Sequence, residues 1–402
     1  MTDLVSDLYW DPFDTEIDRD PYEIWRRMRD EVPVYRNERF DFYALTRYGD
    51  VEAAHRDPST FSSAHGTVLE LMSERVMGGG FMIFMDPPDH TQLRSLVSRA
   101  FTPRRVARLE VRIRDLCVEL FDAQSDRSHF DYVQDFAARL PAEVIAALIG
   151  VPEVDREYVR KHIDLMFHIE PGVGMINDVS LEAGNVLTRY LHEQLLDRAA
   201  HPRDDMLTDL TVAEITDDTG NLRKLTAIES ATFANLIVSA GTETVARLLG
   251  NAAVVLAANP EQRAELAADA ALIPNAVEEL LRFEAPSPVQ GRWTTREVQL
   301  HGGVVPVNSK VLLLTGAAGR DERKYPDPDR FDIHRTLDHH VAFGYGIHFC
   351  LGAALARLEG RIGIEETLRR YPTWEVDHAR IVRLHTSTVR GYSQVPINVD
   401  AA

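Results

Sequence analysis

The stretch from Thr226 to Asn259 constrains this chain more than any other. It is apolar on nearly every side and ends at Asn259-Pro260, a pair at which helices commonly stop. A helix that is apolar all round must be wrapped by other elements. No run in the chain approaches the ~20 consecutive apolar residues of a membrane span, so the wrapping is expected to be protein. The middle of the run breaks its own pattern. AGTET, 240–244, brings Gly241, Glu243 and Thr244 together. Glycine loosens a helical turn, a threonine hydroxyl can bond a preceding carbonyl, and a buried acid needs a partner or a purpose.

The surrounding sequence is mostly helical in pattern from His90 to about residue 285, including AEVIAALIGV and the segment 181–199. Strands are expected at VPVY (32–35) and FDFYAL (40–45), again around 292–315 with a turn at Gly302-Gly303, and within 374–399. A Gly-rich apolar loop, 62–90, separates the first strands from a helix beginning near His90. There is no repeat, linker or low-complexity tract. The expectation is a mainly α fold with a minor β region, one domain over residues 1–402.

Charge narrows the function. The net charge of −19 argues against general nucleic-acid binding. The N-terminal twenty residues are acidic and lack an apolar core segment, so neither a secretory leader nor a membrane anchor is expected there. Against this acidic background, Arg94, Arg99, Arg104, Arg105, Arg108, Arg112 and Arg114 face a single intervening acid, Glu110. Such a face is often a solvated helix surface; it can equally dock an acidic partner. Only Cys117 and Cys350 are present, which implies no disulfide framework and fits a reducing cytoplasm. Cys117 falls near the apolar face of LEVRIRDLCVEL and reads as a small core residue.

Cys350 has an unusual setting. FGYGIHFCLG, 343–352, crowds it with glycines, phenylalanines and His348, and the helical AALARLEGRIGIEETLRRY follows. A cysteine at or just before a helix N-terminus meets free amides that favour its thiolate, and the glycines leave room for something large and flat. A nucleophile paired with His348 would be unusual, because such pairs come from distant parts of a chain. His339, His340, His348 and Cys350 lack finger spacing for zinc, and GYGIHF lacks the third glycine and βαβ context of a dinucleotide site. A single thiolate ligand to a cofactor metal is the best local reading.

Glu279 and Arg282 in EELLR share a helix face, a pattern that taken alone usually marks a surface ion pair. His90 and Arg94 lie one helical turn apart, and Arg292 opens a strand. Together these motifs resemble the cytochromes P-450, the heme-thiolate monooxygenases. FGYGIHFCLGAALAR resembles the family's heme-binding signature, and the Glu279/Arg282 pair, AGTET and His90-x-x-x-Arg94 stand in its order and spacing. KYPDPDRFDIHR (324–335) resembles its meander, with Asp-Arg-Phe where Glu-Arg-Phe is commoner and Gly319 in place of an asparagine before Arg-Asp. The resemblance covers nearly the whole chain from about residue 10.

The resemblance implies heme b (iron protoporphyrin IX) between the long helix and the cysteine-loop helix. Cys350 would be the iron ligand, with the amides near Gly352 bonding its sulfur, Phe343 shielding it and Gly344 giving the loop room. His90, Arg94, Arg292 and His348 would hold the propionates. Thr244 and Glu243 would deliver protons on the distal side, and Gly241 would open the helix there. The substrate roof would come from loop 62–85, Met166, Phe167, Leu236, Ile237, Val289 and Thr388, implying a hydrophobic small molecule. Also implied are a separate ferredoxin with its NAD(P)H-dependent reductase, docking near Arg99, Arg104, Arg105 and Arg108, and a monomer. A peroxide-driven peroxygenase and a non-catalytic heme-based ligand-binding protein are the alternatives; the acid–alcohol pair counts against both.

Overall fold

The computed structural model of the chain describes residues 8–77, 81–98, 101–170, 173–216 and 220–399. The apolar run forms one helix, Ala227–Ala258, held at its start by a reciprocal box between Thr226 and Glu229 and at its end by Asn259, with Pro260 opening the next helix. We call it the central helix. It stays helical through AGTET. The helices Arg139–Ile149, Asp178–Ala200 and Ala353–Arg370 pack around it, and their apolar faces join it in the main core. Among the described residues no helix is long and apolar enough to cross a membrane.

The early strand pair is present as Val34–Asn37 and Phe42–Leu45, antiparallel. It joins a five-stranded sheet with Lys310–Leu313, Gln290–Thr294 and Phe61–Ser62, in that order. Lys310–Leu313 runs parallel to Phe42–Leu45, and both faces of this sheet are covered. Phe42, Ala44 and Leu312 turn to a core with Trp10, Trp25 and Met28, while Leu45, Val311 and Leu313 turn to another with Tyr48, Val51 and Phe61. Register Val311↔Arg292 fixes Arg292 within this sheet, where it is buried.

The turn expected at Gly302-Gly303 lies one residue earlier. His301 and Gly302 take positive φ, and Gly303 begins the strand Gly303–Val305. Within the stretch expected to be helical, the hairpin Glu214–Thr216 with Leu222–Lys224 and the strand His129–Asp131 are strands instead. The latter pairs with Pro396–Val399 from the far end of the chain.

Candidate active site

The cysteine loop is built by its glycines. Gly344 and Gly346 both sit at positive φ, +68° and +69°, and a side chain on Gly346 would come within 2.4 Å of the His55 carbonyl oxygen. The turn carries the chain back so that the Cys350 amide donates to the Phe343 carbonyl at 2.9 Å. The helix Ala353–Arg370 starts three residues later with Gly352 at its N-cap. Burial pushes the Cys350 thiol up, opposed by the Gly352 amide on the sulfur and by the charges of Arg94 and Arg357. The Phe343 ring lies beside this loop with the Arg357 guanidinium 4.7 Å from its centre. Cys117, by contrast, is fully buried, and burial followed by the charge of Glu366 holds its thiol far above the ordinary range. His339 and His340, weighed above as zinc ligands, turn to Glu52 and Glu278.

The four scattered cations converge beside this loop. His90 stands 4.2 Å from His348, ring to ring, and Arg94 donates to the Phe349 carbonyl at 2.6 Å. Both ring nitrogens of His90 and Nε2 of His348 are buried without a hydrogen-bond partner among the described residues. Burial, with Arg94 next, lowers His90 to about 4. Burial, with Arg292 next, lowers His348 to about 2. Arg292 is brought down to about 10 by burial, with Asp86 acting weakly against it. The Asp86 carboxylate is already engaged by Ser62 and Ser63. The cluster therefore holds the buried Arg292 guanidinium, a half-buried Arg94 and two neutral imidazoles with orphaned nitrogens, donors for which the described residues leave no free anionic acceptor. A flat ring bearing two carboxylates meets that need, and heme is such a group; the residues fit it.

On the central helix, Thr244 donates to the Ala240 carbonyl at 3.1 Å, which leaves its oxygen lone pairs free. Glu243 has a partner the motif did not indicate. Arg247, one turn on, bonds its Oε1 through Nε at 2.9 Å and also donates to the Tyr392 carbonyl. The i,i+4 spacing of this pair was the available signal. Gly241 has a packing reason as well: a side chain there would meet Ile145 at 3.0 Å. Leu236, Ile237, Met166 and Phe167 share one apolar cluster with Phe81, Met82 and Met85 of the 62–85 loop. Val289 belongs to the core around Trp10 and Trp25, and Thr388 donates to its carbonyl at 2.9 Å.

Glu279 and Arg282 are not on the surface. Both are fully buried, and Arg282 reaches the carbonyls of Gly319, Pro328 and Arg330, tying its helix to the meander. A side chain at Gly319 would strike the Arg282 carbonyl at 2.4 Å, which explains glycine at that place.

The arginine face is smaller than the sequence suggested. Arg112 pairs with Glu119, Arg114 with Glu365 and Glu366, and Arg105 with Asp209 at 3.5 Å. Arg104 and Arg108 are exposed with no ion pair among the described residues. Arg99 lies outside the described residues.

Comparison with known proteins finds similarity along the whole chain. The family profile for cytochrome P450 matches residues 182–393. Cytochrome P450 123 of Mycobacterium tuberculosis is 39% identical over 100% of both chains. Vitamin D(3) 25-hydroxylase of Pseudonocardia autotrophica is 35% identical, covering 99% of this chain and 96% of its own. The solved structure of cytochrome P450 CYP109Q5 from Chondromyces apiculatus superimposes with a TM-score of 0.87 at 36% identity, over 98% of this chain and 99% of that one.

Proposed function

This chain belongs to the cytochrome P450 family and is a P450 monooxygenase, and from that premise we propose that it inserts one oxygen atom of O2 into a hydrophobic small molecule, using electrons from a ferredoxin. The observation that carries the reading is the coincidence, in one fold, of the Cys350 loop, the acceptor-seeking cation cluster and the Thr244/Glu243 pair on the central helix. Bound heme b would supply the oxygen-activating chemistry, with Cys350 as its thiolate ligand and His90, Arg94, Arg292 and His348 on its carboxylates.

The protein's own contribution is charge and protons. The Gly352 amide and the Arg94 and Arg357 charges stabilise a thiolate on Cys350. Thr244 can accept from a water while donating to Ala240, and can rotate to pass a proton on. Glu243, kept beside Arg247 in the interior, is the carboxylate that takes up a proton from water and hands it on to Thr244. The apolar cluster around Leu236, Ile237, Met166 and Phe167 excludes water and selects hydrophobic substrates. One relative is named for hydroxylating vitamin D3, and another similar chain, a mutant of P450 EryK, was solved with erythromycin B. These names support an organic small molecule as the substrate here.

Thr244→Ala tests the reading. The variant should still bind a hydrophobic ligand that perturbs the heme spectrum and should still accept electrons. Its product formation should fall roughly a hundredfold while NAD(P)H consumption continues. A variant that couples electrons to product as well as the parent would refute the proton role, and one with less heme but unchanged coupling would make Thr244 structural.

The ferredoxin surface is tested separately. Arg104→Glu with Arg108→Glu should slow reduction by an acidic ferredoxin, while reduction by dithionite stays unchanged. The effect should shrink as salt rises, since exposed charges are screened beyond about 8–10 Å near physiological ionic strength. Equal slowing with both reductants would instead indicate a damaged heme site.

A further inference from the structure

The cation cluster contains one more member than the family resemblance supplies. His55 is the penultimate residue of the helix Tyr48–Arg56, is 4% exposed, and lies beside the glycine turn of the cysteine loop. Its Cε1 would be 3.7 Å from a side chain on Gly344, and it lies within electrostatic reach of His348. Its Nδ1 faces Nη2 of Arg292 at 3.4 Å, and its Nε2 is buried with no hydrogen-bond partner among the described residues.

The tautomer follows from chemistry. A guanidinium can only donate, so Nδ1 must be the accepting nitrogen and the ring proton must sit on Nε2. That leaves a buried N–H donor, without an acceptor among the described residues, close to Arg292 and His348. The nearby carboxylate, Asp86, is held by Ser62 and Ser63. An N–H so placed costs stability unless an acceptor arrives with a ligand.

We propose that His55 is a fifth residue on the heme carboxylates, donating Nε2–H to one of them while its Nδ1 steadies Arg292. The assignment rests on the heme reading above and extends it to a residue outside the family signature motifs. It also accounts for Arg292, whose other bond in the structure goes no further than the Gly291 carbonyl, 2.7 Å away. His55 thus holds the arginine side chain toward the same anion.

The test compares heme with heme dimethyl ester, whose carboxylates are masked. Release from the purified holoprotein to excess apomyoglobin is followed for the parent, His55→Phe and His55→Gln. The parent should hold heme far longer than the diester. His55→Phe, which keeps the volume and loses the donor, should release heme about tenfold faster and the diester at the parental rate. His55→Gln, whose amide reaches near the Nε2 position, should recover part of the difference. Thermal unfolding of the apoproteins should show no loss of stability in either variant. Unchanged heme release in His55→Phe would overturn the proposal, as would equal acceleration with both ligands, which is the mark of lost packing. A parent that does not distinguish heme from its diester would overturn the reading of the whole cluster, a failure separable from that of His55 alone.

Discussion

Cys350→Ala abolishes turnover and removes the red-shifted Soret band of the reduced, carbon monoxide-bound protein: this is the largest functional effect expected of any substitution in the chain. The position has no substitute. The sulfur lies where the loop hydrogen bond from Cys350 to Phe343 and the Gly352 N-cap converge, and no other thiol is near. Cys117 sits in the main core, its thiol driven up by burial and by neighbouring carboxylates, so it stays protonated and inaccessible. Cys117→Ala is therefore the control. It should lower stability by about 1 kcal/mol through lost packing and leave the spectrum intact. A Cys350→Ala protein that kept the red-shifted band would show that another group ligates the iron.

The central helix was legible because everything that defines it is local. Its apolar content, its start at Thr226 and its stop at Asn259-Pro260 all lie in adjacent residues. The segments that escaped notice are held by partners far away. His129–Asp131 is a three-residue strand that exists because Pro396–Val399 lies beside it, and Glu214–Thr216 alternates only polar or half-buried residues. No periodicity can be read from three residues. The site divides in the same way. Cys350, His90 and Arg94 sit in compact motifs, and the fold brings His90 beside His348 and Arg94 to the Phe349 carbonyl. His55 lies in EAAHRD, where it looks like one more polar residue of a surface helix. Its meaning comes from Arg292, 237 positions away in sequence. Glu279 and Arg282 show the reverse case, for their spacing alone suggests a surface pair of little consequence, and only burial reveals their weight.

That weight underlies the largest expected effect on folding. Glu279 and Arg282 are both 0% exposed, joined by two bonds of 2.6 and 2.7 Å in a fork-to-fork arrangement. Glu279 Oε1 also accepts from the Asp332 amide at 3.0 Å and from Arg335 at 3.2 Å, so one carboxylate serves two arginines and the meander backbone. Removing it leaves the Arg282 guanidinium buried without a counter-charge and frees the meander at both points. Breaking one partner of such a pair costs about 3–5 kcal/mol, against a total stability of roughly 5–15 kcal/mol for a native protein. Glu279→Ala should accordingly yield little folded, heme-loaded protein. Glu279→Gln keeps the shape and an acceptor but not the charge, so it should fall between that variant and the parent. Arg282→Lys should fail almost as badly as Glu279→Ala, because an ammonium cannot bridge the carboxylate and the carbonyls of Gly319 and Pro328 together. The comparison is made by urea unfolding of whatever apoprotein each variant yields, alongside its heme content. Were Glu279→Ala to unfold within 1 kcal/mol of the parent, about the worth of an exposed pair, the buried network would carry none of the stability assigned to it.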